Sequence, residues 1–486
     1  MPILDYITVS FLVIPLIILV LNNLFSKQFV ERINFKLVGV VAILQMALAV
    51  AGFSLLSAAH WEDYRFSLLW DWTMEEAGYF AVNSLSLVFL FCIGFVLLVA
   101  VLVAKATVEQ RKTAFVNLVL TLLLGMNGMV MVRDLFSLYV FLEIVGISSF
   151  VLVALFQLET GLEGAFKYLV MSSLATVFIL TGLAFVFMQT GSLQYAQAWA
   201  DWLSVQGTAQ LYTYLAFILL ISGFALKTGV VPFHSWLPDA HQSANTAVSI
   251  LLSGIVIKVA GIYGFIVLTK LFPGFPPVAL ALRILGLLSI VVGALFALRQ
   301  THFKRLVAYS SVSQMGYILL GLSSGTTLGF LGAMVHIFNH ATFKSTLFTN
   351  AAALSAQAGT LELGELGGLE KKMPVTGFSS ITAFLSTAGI PPLAGFWSKL
   401  LIIMALWKSE AEGFAAVALL ASILTAAYFL RLQKKVFFGQ LPEKFGAVTE
   451  IGGSVKFAEL MLSAVNIAVG VGFPLILLFF EGRGLL

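Results

Sequence analysis

The sequence predicts an all-α polytopic membrane protein of about 14 transmembrane helices. Three observations predict it: of 486 residues 60% are hydrophobic, only 10% are charged, and the mean hydropathy is +1.01. A soluble chain carries about 25% charged residues. A span needs about 20 mostly apolar residues. Apolar runs between polar breaks fall at 7–25, 36–59, 80–104, 113–132, 135–157, 166–190, 211–231, 244–269, 278–298, 304–323, 327–354, 374–407, 413–438 and 457–480.

At the start of the chain, Met1 to Ser10 carry no basic region and are followed by no small-residue cleavage pattern, so the first span reads as retained. Cys92 is the single cysteine and falls mid-span. One thiol cannot hold an iron-sulfur cluster, a zinc finger or an intrachain disulfide, so no cofactor is expected in this chain. The net charge of +4 and pI near 9.0 reflect membrane orientation rather than nucleic-acid binding. With the N-terminus outside, alternate loops place seventeen Lys and Arg inside and six outside, which puts both termini outside. Segments 61–79, with Trp61, Trp70 and Trp72, and 192–210, with Trp199 and Trp202, read as interfacial belts in contact with lipid headgroups.

Four lysines belong to no loop. Lys227, Lys258, Lys344 and Lys399 each lie well inside an apolar run, as does one acid, Glu143. Five ionisable groups facing lipid would cost on the order of 10 kcal/mol, so they face the bundle interior or water. A buried ion pair that fixes packing accounts for one such residue more readily than for five on five helices. Their type adds to this: a desolvated lysine or carboxyl exchanges protons near neutral pH, whereas arginine does not, and no arginine is mid-span.

Two spans are predicted to be broken. Lys227 precedes GVVPFHSWL at 229–237 and Lys399 follows GIPPLAGFW at 389–397, where prolines free backbone carbonyls. Such breaks are tolerated at membrane depth only where protein or water covers them. Gly229 aligns with Gly389 and Pro232 with Pro392, as inverted repeats with discontinuous helices would place them. Pro kinks also serve plain packing.

His336, His340 and Lys344 share one helical stripe at spacing four. Two histidines so placed can ligate zinc, but no Glu follows His336, no further cysteine is present, and a lysine on the same stripe repels a dication. No metal is expected. A proton shuttle between Lys258 and Lys399 fits the imidazole better, with a satisfied packing histidine as the alternative.

These residues resemble the antiporter-like subunits shared by respiratory complex I, membrane-bound hydrogenases of the group 4 type and multi-subunit Mrp sodium/proton antiporters. The matching stretches surround Glu143 at 138–149, KTGVVPFHSWLPDAH at 227–241, SILLSGIVIKVAGIYG at 249–264, FKRLVAYSSVSQMGY at 303–317, HIFNHATFKSTLF at 336–348 and AGIPPLAGFWSK at 388–399. The resemblance implies two inverted five-helix repeats with helices 7 and 12 broken. It divides the chain into helices 1–3 (1–110), helices 4–8 (111–270), helices 9–13 (271–440) and helix 14 (441–486). It implies that Glu143 and Lys227 form a switching ion pair, Lys258 a central relay, His336 and His340 the connection, and Lys399 the terminal carrier, with Lys344 in support. Relatives carry two prolines where this chain has Asn245 and Ala247, which predicts a less broken start to helix 8.

The wording of the motifs is nearer to the redox-driven complexes than to the Mrp antiporters. The expected function is therefore proton translocation as a subunit of a redox-driven complex in the cytoplasmic membrane, alongside other membrane subunits and redox subunits holding iron-sulfur clusters. The alternative is an Mrp-type antiporter subunit. A solute transporter working alone is disfavoured, because the buried charges form a series along the chain rather than one pocket.

Overall fold

The computed structural model describes residues 2–25, 27–59, 80–156, 159–195, 198, 209–272 and 274–481. Segment 61–79 and most of 192–210, the two expected belts, lie outside the described residues.

The chain is a bundle of helices: α1 (Pro2–Leu24), α2 (Lys27–Ala59), α3 (Ser84–Thr107), α4 (Lys112–Met131), α5 (Leu135–Ala154), α6 (Glu159–Thr190), α7 (Ala209–Thr228), α8 (Trp236–Ser243), α9 (Thr246–Leu251), α10 (Tyr263–Leu271), α11 (Pro276–Arg299), α12 (Phe303–Ser323), α13 (Thr327–Ala358), α14 (Pro374–Ala388), α15 (Ala394–Lys408), α16 (Glu412–Val436) and α17 (Gly453–Glu481). Among the described residues, twelve helices are long and apolar enough to cross a membrane. Two expected spans fall outside that set, each for a physical reason. Segment 327–354 forms α13, 32 residues long, but His336, Asn339, His340, Lys344 and Asn350 dilute its apolar character. Segment 374–407 is two helices of 15 residues, each about 22 Å long and too short alone for a hydrocarbon core of about 30 Å.

Both predicted breaks are present. Gly229 (φ +69°) and Gly389 (φ +83°) end α7 and α14 in the left-handed region open to glycine. Each break holds a cis X-Pro bond, Val231–Pro232 and Pro391–Pro392. The repeat also shows in the backbone. Leu135 N donates to Leu193 O (2.8 Å) and Tyr195 N to Arg133 O (3.2 Å), while Phe303 N donates to Leu361 O (2.9 Å) and Leu363 N to Thr301 O (2.7 Å). The second pair of bonds thus repeats the first, tying the start of α12 to the chain after α13 as the start of α5 is tied to the chain after α6. Five spans separate the two sites, and an odd number of crossings inverts the repeat.

Burial follows the expected membrane pattern. Val177 and Phe187 of α6, Leu280 and Leu288 of α11, and Leu419 and Ile423 of α16 are apolar and exposed, the surface that lipid or a neighbouring subunit covers. Residues 246–268 are all buried, and α12 nearly so.

Candidate proton-relay site

Lys227 occupies the last turn of α7, where the break begins. Its ammonium donates to Glu143 Oε1 of α5 at 3.2 Å and to Ser172 Oγ of α6 at 2.8 Å. Thr176 Oγ1 donates to the same carboxylate oxygen at 2.5 Å. Lys227 is almost fully buried, whereas the Glu143 side chain is 28% exposed, so the pair has one dry and one open end. Gly146, one turn along from Glu143, leaves room for the ammonium: a Cβ there would lie 3.3 Å from Nζ.

Lys258 lies where the next helix is not α-helical. Leu252–Val256 and Lys258–Ile262 are π-helical, between α9 and α10. A π turn widens the helix and re-aims its carbonyls, and here the fully buried Lys258 Nζ donates to Ser253 O and Gly254 O, both at 2.5 Å. No carboxylate pairs with it among the described residues, so the charge is held by carbonyl dipoles alone. The second π stretch packs on α7. Gly261 allows that approach, since a Cβ there would meet Thr228 Oγ1 at 1.9 Å, next to Lys227 in the chain. The departure at Asn245 has a local effect: its side chain caps α9, accepting from Ala247 N at 2.9 Å. The irregularity of this span lies about two to five turns further on, around Lys258.

Helix α13 packs against the first π stretch, α12 and α15, and it carries the predicted stripe. His336 Nδ1 is 2.9 Å from Ser398 Oγ, whose neighbour in the chain is Lys399. Lys344 Nζ donates to Val307 O at 2.9 Å and contacts Ser310 Oγ closely. Both ring nitrogens of the buried His340 lack a partner among the described residues, and Lys258 and Lys344 lie within electrostatic range of it. Lys399 Nζ sits 4.3 Å from the centre of the Tyr317 ring and 3.5 Å from Ala388 O at the break, a cation–π contact that holds a charge without an acid. The seven predicted residues therefore stand on successive neighbouring elements, from α5 through α7, the π segment and α13 to α15. Among the described residues, no group of three or more His, Cys, Asp and Glu could hold a metal ion.

Three buried polar groups went unnoticed in the sequence. Lys304, counted there with a loop, is buried in the first turn of α12 and donates to Ala244 O at 2.6 Å. Its place beside Arg305, at the edge of an apolar run, concealed it. His241 of α8 stacks on Phe348 with ring centres 4.9 Å apart. Glu459 is fully buried in α17; as the third residue of the expected span 457–480, beside the charged Lys456, it looked like an edge residue. At the mouth of this region Asp239 accepts from Lys167 and Arg305. Burial alone would raise the Asp239 carboxyl, but these two cations outweigh it and hold it below the usual carboxylate range.

Residues 132–425, more than half of the chain, match the family described as NADH:quinone oxidoreductase/Mrp antiporter, TM. The chain belongs to this family. Within it, the chain is similar to an NADH-quinone oxidoreductase subunit of Desulforudis audaxviator, 29% identical over 446 residues that span 90% of this chain and 88% of the relative. It is also similar to a Na(+)/H(+) antiporter subunit of Alkalihalophilus pseudofirmus, 33% identical over 361 residues, 74% of this chain and 71% of the relative. A chain in the structure of the Mrp complex from Dietzia sp. superposes with a TM-score of 0.85 at 24% identity, covering 100% of this chain and 97% of that one, which shows the shared fold. The protein is thus an integral, multi-pass antiporter-like membrane subunit of the kind found in complex I, Mrp antiporters and related membrane complexes.

Proposed function

We propose that this chain translocates protons along Glu143, Lys227, Lys258, Lys344, His340, His336 and Lys399, as a subunit of a redox-driven membrane complex. The observation that carries the reading is the Glu143–Lys227 pair at 3.2 Å, followed on adjoining elements by ionisable groups that have no counter-ion among the described residues. Structural ion pairs are paired; a lysine held only by carbonyls or an aromatic face is poised to exchange its proton. Neighbouring charges in so dry an interior repel, so a proton on one site disfavours a proton on the next, and the row titrates as a coupled unit. Parting Glu143 from Lys227 removes the countercharge and passes the proton towards Lys258. The π turn supports this role, because its carbonyls can hold Lys258 while leaving the ammonium close to both repeats.

The proposal divides the chain at 110, 270 and 440 into helices 1–3, two inverted repeats and a final helix. It sets the protein in the cytoplasmic membrane with both termini outside, among other membrane subunits, lipid, and redox subunits carrying iron-sulfur clusters. The antiporter relative favours a second reading, an Mrp-type sodium/proton antiporter subunit. The driver separates them. In liposomes holding the purified native complex, reduced ferredoxin or NADH is expected to drive proton uptake reported by a pH-sensitive dye, with no need of sodium; uptake driven by a sodium gradient alone would assign the chain to an antiporter.

A further inference from the structure

Glu459 takes no part in the row above, yet it is a fully buried carboxyl inside a span. Its hydrogen-bond partners are neutral. Thr376 Oγ1 lies 3.1 Å from Glu459 Oε2 and 2.9 Å from Glu450 Oε1. With its amide nitrogen facing the carboxyl, Asn350 of α13 donates to Glu459 Oε1 at 2.9 Å and to Ser379 Oγ at 2.7 Å. An ionisable group in such a place marks an ion pathway by default.

Hydrogen-bond stoichiometry says more. A hydroxyl carries one proton, so Thr376 bonds both carboxyls at once only when one of them is protonated and donates to Oγ1. The three groups thus form a site that holds an exchangeable proton between half-exposed Glu450 and buried Glu459. From there polar groups continue along the seam of α14 and α17. Thr382 Oγ1, which donates to Ser379 O, and Ser463 Oγ, which donates to Glu459 O, face each other at 3.3 Å one turn beyond Glu459, and one turn further Asn466 is buried with both amide atoms unpartnered among the described residues. An unpaired buried amide in a polar seam is where ordered water binds. The last residue of α14 is Ala388, whose carbonyl faces Lys399 Nζ.

We propose that Glu459 is a proton-binding residue of an entry branch along the α14–α17 seam, which takes protons at Glu450 and loads Lys399. The inference rests on the proton-relay reading, and the test separates the two. In the intact reconstituted complex, Glu459→Gln keeps the shape and hydrogen bonding of the site but cannot exchange a proton, so driven uptake is expected to fall by about tenfold or more. Glu459→Asp restores most of it. Infrared difference spectra during turnover should show a carboxyl C=O band, shifted in deuterated water, that Glu459→Gln removes. Should Glu459→Gln fail to assemble, Thr376→Val decides: a loss of similar size supports the branch, and unchanged uptake overturns it. Full uptake by Glu459→Gln, in a complex that Lys258→Ala silences, makes Glu459 a packing residue and overturns the branch while the relay stands. Full uptake by Lys258→Ala overturns both.

Discussion

Replacing Lys258 with alanine is expected to lower driven proton uptake by about a hundredfold or more, the scale set by losing a positioned proton-transfer group. Lys258 is enclosed on every side and lies between the Glu143–Lys227 pair and the α13 stripe, on elements that pack directly on one another. Without its ammonium, Ser253 O and Gly254 O lose their shared donor, and alanine offers no titratable atom to bridge the two repeats. Removing a charge from so dry a site also relieves its desolvation cost, which offsets part of the cavity left by the stem. The variant should therefore assemble. Uptake by proteoliposomes, with native gels to establish assembly, checks both halves of the expectation.

Glu143→Ala acts at the other end of the first repeat. It leaves the Lys227 ammonium with Ser172 Oγ as its remaining side-chain partner, and Thr176 with Ser172 O as its remaining acceptor. Breaking a buried pair by removing one member costs about 3–5 kcal/mol when the remaining charge stays. The open side of Glu143 lets water reduce that cost. The Lys227 proton has then lost the countercharge that held it, so the switch is fixed in one state. Uptake is expected to fall by about tenfold or more, and Glu143→Asp, which keeps the charge on a shorter arm, to recover part of it. Thermal unfolding of the assembled complex measured beside uptake separates loss of relay from loss of structure.

Much of this was legible in the sequence because membranes tolerate few exceptions. Lys227, Lys258, Lys344, Lys399 and Glu143 interrupt apolar runs that otherwise carry no charge, and the same glycine and proline spacing recurs beside Lys227 and Lys399. The π-helical stretches at 252–262 gave no such sign. Apart from Lys258 their residues are the Leu, Ile, Val, Ala, Ser and Gly of an ordinary span, and the close approach of Gly261 to Thr228 shows only in the packing. Lys304 and Glu459 were hidden by position, since a charge near the end of an apolar run is expected at the membrane edge and burial there is decided by neighbouring helices. Hydropathy also undercounts α13, whose polar stripe is the connection itself.

The most direct test of the central claim, that one row of buried groups runs through both repeats, lies at its far end. Initial rates of driven proton uptake should be compared between wild-type complex and Lys399→Ala, with assembly verified. Lys399 belongs to the second broken helix and touches neither Glu143 nor Lys227, so a continuous relay predicts uptake reduced by about tenfold or more. Uptake at the wild-type rate would show that protons leave the row before α15, contradicting the account.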